Sequence, residues 1–133
     1  MNIVKIEGIG PSYAAKLAKA GIKTVYGLLK NGATSNGRKL ISDLSGISKE
    51  KVLDFVNMAD LFRVNGVSSQ YAELLKGAGV DTVKELAQRN PENLFDALVK
   101  TNQTKKLVRL VPAKSRVVDW VAQAKELPRV VEY

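Results

Sequence analysis

The stretch YAAKLAKAGIKTVYGL, residues 13–28, returns 58 residues later as YAELLKGAGVDTVKEL, residues 71–86. Eight of the sixteen aligned pairs are identical: Tyr13/Tyr71, Ala14/Ala72, Leu17/Leu75, Ala20/Ala78, Gly21/Gly79, Thr24/Thr82, Val25/Val83 and Leu28/Leu86. Unrelated segments of this size would share about one residue, so the match reads as an internal duplication. A second echo closes the unit. VLDFVNMA (52–59) recurs as VVDWVAQA (117–124), now shifted by 65, so the later copy carries extra residues between the two echoes. The chain therefore divides into one unit over 1–61, a second over 62–127 and a C-terminal tail, 128–133, that is β-prone but too short to interpret.

Composition narrows the chemistry. At 133 residues, 45% hydrophobic and 26% charged, the chain has the make-up of a soluble globular protein. It holds no cysteine and no histidine. Disulfides, the usual zinc sites, Ser-His-Asp and Cys-His nucleophiles and imidazole acid–base chemistry are all excluded. A lysine amine could in principle act as a nucleophile, but nothing singles one out. No catalytic residue, metal ligand or cofactor is expected. No run reaches the ~18–20 apolar residues of a membrane span, and Met1–Gly10 lacks the apolar core of a signal peptide. The expectation is a cytoplasmic protein without membrane contact.

The net charge is +8 and the pI about 9.8. Residues 1–61 hold nine basic and five acidic side chains, and 62–127 hold eleven and seven, so the excess is shared equally. Such a balance favours a polyanionic partner, though it also serves solubility alone. From Lys100 to Arg116 there are six basic residues (Lys100, Lys105, Lys106, Arg109, Lys114, Arg116) and no acidic one. That run is either a solvated helix end and loop or an anion-facing surface.

The periodicity predicts an all-α chain of about eight short helices. Pro11–Ala20 has proline in its first turn and Gly21 as a left-handed stop. Thr24 caps a helix to about Lys30. Thr82 has Glu85 three residues on, the pattern of a capping box. Thr34 or Ser35 opens a helix to Leu44, and Ser48 caps one to about Phe62. In the second unit the helices are 69–76, 82–89, 91–102 and one from Ala113 or Ser115 to Glu126. Only Ile3–Ile6 has a hint of strand.

Each unit opens on a similar hairpin: Ile6-Glu7-Gly8-Ile9-Gly10-Pro11 and Val64-Asn65-Gly66-Val67-Ser68-Ser69. Glycines flanking one apolar residue permit a tight turn, bare backbone and a helix N-terminus pointing outward, a place suited to phosphate. Lys16 lies on the helix that follows. The same glycines would equally serve a plain helix–helix corner.

This string, with Leu17, Ala20-Gly21-Ile22 and Thr24-Val25 behind it, resembles the helix-hairpin-helix motif. The tandem arrangement resembles an uncharacterised prokaryotic domain family built from duplicated hairpins, over nearly the whole chain. The resemblance implies an all-α fold of two tandem helical repeats, each built around helix-hairpin-helix-like motifs. It also implies that backbone amides hold a DNA phosphate without reading sequence. Carried over, those amides belong to Gly8, Gly10 and Tyr13, and less directly in the second copy to Gly66, Ser68 and Tyr71; Ile9, Ser12, Lys16 and Val67 beside them join the candidate binding residues. Lys105, Lys106 and Arg109 of the basic run complete the set. In some members hairpin carbonyls bind a monovalent cation; the matching ones are those of Val4, Ile6 and Ile9. Ser68 stands where the second glycine belongs, and Ser12 and Gln70 stand where many members carry lysine. Degenerate hairpins also occur at Ser45-Gly46-Ile47-Ser48 and Leu110-Val111-Pro112-Ala113.

Trp120 matches Phe55 and falls at core spacing with Val117, Val121 and Ala124. Tyr13 and Tyr71 suit either packing or a place beside phosphate. Asp54 and Asp119 read as caps or salt-bridge partners rather than a metal pair. The expected function is non-specific binding of double-stranded DNA, with RNA as the other candidate polyanion, in an accessory or architectural role. The rival is a helical protein-interaction module that keeps the hairpins only for packing.

Overall fold

A computed structural model describes residues Met1–Tyr133. It is all-helical: a 3-10 turn over Ile3–Lys5, then α1 (Pro11–Lys19), α2 (Val25–Asn31), α3 (Ser35–Ser45), α4 (Lys49–Leu61), α5 (Ser69–Gly77), α6 (Val83–Ala87), α7 (Pro91–Lys105) and α8 (Lys114–Glu126). The strand-like hint at Ile3–Ile6 resolves into the 3-10 turn. Asn2 pairs with Thr24 in an isolated antiparallel bridge, and its Oδ1 accepts the Val4 amide at 3.0 Å, turning the chain after a single paired residue.

Helix ends follow local chemistry. Gly10 and Asn90 precede Pro11 and Pro91, which spend no amide in a first turn that could not use one. Thr24, Thr34 and Thr82 each accept an amide three residues on. At Thr82 the return half of the box is displaced by one residue: Glu85 Oε2 accepts the amide of Asp81, at 3.3 Å. Gly21 and Gly79 take φ of +77° and +92° just beyond α1 and α5. α7 runs on to Lys105 rather than ending at Asn102, and Lys106 closes it with φ +52°.

The chain forms two compact units, Met1–Asp60 with Val130–Tyr133, and Leu61–Arg129. In the first, α3 packs on α1 and α2 around Leu17, Ile22, Leu28, Ile41, Val52 and Phe55. In the second, α8 packs on α6 and α7, and α5 on α7, around Leu75, Leu86, Leu94, Leu98, Val117 and Trp120. The C-terminal segment is part of the first unit's core. Val131 is 3% exposed, and the Glu132 amide donates to Ala33 O at 2.7 Å. No helix is long and apolar enough to cross a membrane.

Candidate nucleic-acid interface

The first hairpin turns on Gly8, whose φ of +92° lies where side chains are strained. Ile9 is buried, anchoring the turn, and its amide donates to Ile6 O at 3.1 Å. Ile9 can therefore offer a ligand only its carbonyl, not its side chain or its amide. Gly10 has φ −90° and ψ −170°, ordinary extended geometry, and a Cβ there would meet nothing within 4 Å. It is Gly8, not Gly10, that conformation requires. What Gly10 supplies is an absence: α1 has no side-chain cap. The amides of Ser12 and Tyr13 head a helix whose first-turn donors lack intrahelical partners.

Tyr13 lies edge-on to Phe55, with ring centroids 5.2 Å apart. Lys16 Nζ and Lys51 Nζ both stand over the Tyr13 ring, 5.7 and 5.9 Å from its centroid. Together with Gly46, Ile47 and Ser48 these three residues line a hollow of about 380 Å³. Gly46 ends α3 at φ +77°, and Ser48 Oγ caps the Lys51 amide at 3.2 Å. Neither lysine is in a salt bridge, and the Tyr13 hydroxyl makes no hydrogen bond within the chain. Two like charges gathered on one ring, neither in a salt bridge, favour an anion between them.

The second unit repeats the hairpin and tyrosine positions, with buried Leu74 in place of Lys16 and its polar groups satisfied internally. Ser68 has φ −84°, close to that of Gly10, so serine there costs the turn no geometry. Its effect is chemical, because Ser68 Oγ accepts the Tyr71 amide at 3.4 Å and caps α5. Gln123 brackets Asn65, accepting its amide at 2.9 Å and donating to its carbonyl at 3.1 Å, while Asp119 orients Gln123 at 2.8 Å. The Tyr71 hydroxyl donates to Leu110 O at 3.2 Å, and its ring lies 5.4 Å from Trp120. Gly66 takes φ +95°, with room for a Cβ only 3.1 Å from Trp120 Nε1. Val67 is buried.

The remaining basic residues named from sequence, Lys105, Lys106 and Arg109, are all exposed in the second unit, at the end of α7 and beyond it. Lys51 was not legible as a site residue. The one signal for it was the echo Ser45-Gly46-Ile47-Ser48, which puts Lys51 as far beyond Ser48 as Tyr13 lies beyond Gly10. The model of a protein family described as a domain of unknown function, DUF4332, matches residues 7–127. No curated protein and no solved structure is similar enough to count as a match.

Proposed function

The chain belongs to the DUF4332 family, and we propose from the geometry of its first unit that it binds nucleic acid, duplex DNA foremost, through backbone phosphates. The two units are read as copies of one helix-hairpin-helix repeat, in which the first hairpin holds phosphate and the second hairpin is structural. The observation that carries this is the contrast between them. The uncapped N-terminus of α1 and the unpaired Lys16, Lys51 and Tyr13 hydroxyl stand in one unit. In the other, Ser68 occupies the Tyr71 amide, the Leu110 carbonyl occupies the Tyr71 hydroxyl, and buried Leu74 stands at the position of Lys16. Helix amides and ammonium groups recognise phosphate and cannot distinguish bases, so binding is indifferent to sequence. The protein acts as an accessory or architectural module.

The test is fluorescence anisotropy with duplex, nicked, single-stranded and RNA probes over a salt series. Affinity for duplex should fall with a log–log slope of about −0.9 per phosphate neutralised, and unrelated duplexes of equal length should bind alike. A flat salt response overturns the reading. In that case Leu40 and Leu44, 59% and 51% exposed and one turn apart on α3, favour a protein partner.

A sharper prediction exchanges the caps. Gly10→Ser should give α1 the cap that α5 already has, raising stability by a few tenths of a kcal/mol. It should also weaken duplex binding severalfold, because the Tyr13 amide would be occupied. Ser68→Gly should leave binding unchanged. Thermal melts and anisotropy on both variants check this, and Gly10→Ser binding as well as wild type would remove the α1 N-terminus from the site.

A further inference from the structure

The connection between α7 and α8 is longer than its counterpart between α3 and α4: Lys106–Ala113 against Gly46–Ser48. A solvated loop of that length would be loosely held, yet this one is pinned at three points. Asn102 brackets Val108, its Oδ1 accepting the Val108 amide at 2.9 Å and its Nδ2 donating to the Val108 carbonyl at 3.0 Å. Leu107 Cδ1 sits 3.3 Å from where a Cβ on Gly77 would stand, so that glycine lets the loop close on α5. The Tyr71 hydroxyl holds the Leu110 carbonyl at 3.2 Å. Lys106 enters the loop at φ +52°, the only positive φ outside glycine. A conformation costing of order 1 kcal/mol is thus kept on a cationic side chain where glycine or asparagine would be unstrained.

At the tip of this rigid loop Leu110 is 75% exposed, although its backbone is fixed and Val108 beside it is buried. Lys105, Lys106 and Arg109 around it are exposed, and no acidic residue lies between Lys100 and Arg116. Of the neighbouring cations only Lys114 is engaged, with Glu92 at 3.4 Å. A free apolar tip on a positively charged, preorganised loop fits a partner that is anionic outside and apolar within. Stacked bases behind a phosphate backbone have that character.

We propose that Leu110 is a wedge that enters a base step of duplex DNA, with Lys106 and Arg109 holding the flanking phosphates. The inference rests on the nucleic-acid reading above and adds a deformation that phosphate contacts alone do not produce. The experiment uses the full chain and a duplex containing repeated 2-aminopurine·T steps, so that every binding register presents a reporter. Anisotropy and 2-aminopurine fluorescence are read on the same sample. Wild type should saturate the duplex and raise the fluorescence at least twofold as steps unstack. Leu110→Ser should still saturate it, with affinity within about fivefold, and give no rise. Arg109→Ala should make the salt slope shallower by about 0.9, one phosphate's share. Saturation by wild type with no fluorescence change, or an equal rise with Leu110→Ser, overturns the wedge and leaves phosphate binding standing. No saturation by wild type at low salt overturns both. Leu110 is too exposed for the serine to threaten folding, and circular dichroism verifies that.

Discussion

Arg38→Ala is expected to destabilise the protein by about 3 kcal/mol or more, the range for removing charge-assisted hydrogen bonds from a buried site. Arg38, on α3, is 6% exposed. Its Nη1 donates to Gly32 O at 2.9 Å and Ala33 O at 3.1 Å, and its Nη2 to Glu132 O at 2.6 Å. Burial pushes its pKa down, with Tyr133 and Glu132 opposing that shift, and the group remains a cation at any pH where the protein folds. Alanine would leave the Gly32 and Glu132 carbonyls without a donor, take one of two donors from the Ala33 carbonyl, and loosen the segment that buries Val131. Arg38→Lys should recover less than half of the loss, since one ammonium cannot reproduce the planar fork. Removing Val130–Tyr133 should cost a comparable amount, and combining it with Arg38→Ala should cost less than the sum because both break one network. Urea denaturation followed by circular dichroism measures all four variants. Arg38→Ala within about 0.5 kcal/mol of wild type would mean that the tail is not held this way.

Arg38 also marks where sequence reading ran out. In the sequence it is one of many cations and the tail is six unpatterned residues, because the bond joining them spans 94 positions. The helices were legible because their signals are local: Thr24, Thr34 and Thr82 as caps, Pro11 and Pro91 in first turns, Gly21 as a left-handed stop. Phe55 and Trp120 were legible as core from spacing alone. Glycines were harder, since the sequence does not say why one is there. Gly8 serves conformation, whereas Gly32 has an ordinary φ of −97° and serves space, because a Cβ on it would collide with Val56. Of the candidate site, the first hairpin was visible, and so was the oddity of Ser68. The meaning of Ser68 was not: it caps α5 rather than deforming a turn. Lys51 was not legible because it joins Tyr13 and Lys16 only in the folded unit, where the three line one hollow although 35 residues separate Lys51 from Lys16.

The Lys16→Glu/Lys51→Glu double variant should lose duplex affinity by at least 100-fold at low salt, the largest effect expected on binding. Both ammonium groups stand within 6 Å of the Tyr13 centroid beside one hollow. Reversal removes two phosphate contacts and sets two carboxylates against the DNA backbone. The alanine pair separates these effects: it should only weaken binding by the lost contacts and make the salt slope shallower by about 1.8. Folding should survive either change. Lys16 is exposed, Lys51 half-buried, and neither is in a salt bridge that would be broken. In the alanine pair, relief of the like-charge repulsion should hold the melting temperature level or raise it slightly. Lys51 Nζ also lies 5.5 Å from the Phe55 centroid, so Lys51→Met, which keeps the stem's packing and removes only the charge, controls for lost contact with that ring. If the folded double variant binds within about threefold of wild type, the hollow at Tyr13 is not where phosphate sits. The α7–α8 connection would then have to carry the binding alone, and Lys106→Ala with Arg109→Ala would show the loss that Lys16 and Lys51 had failed to show.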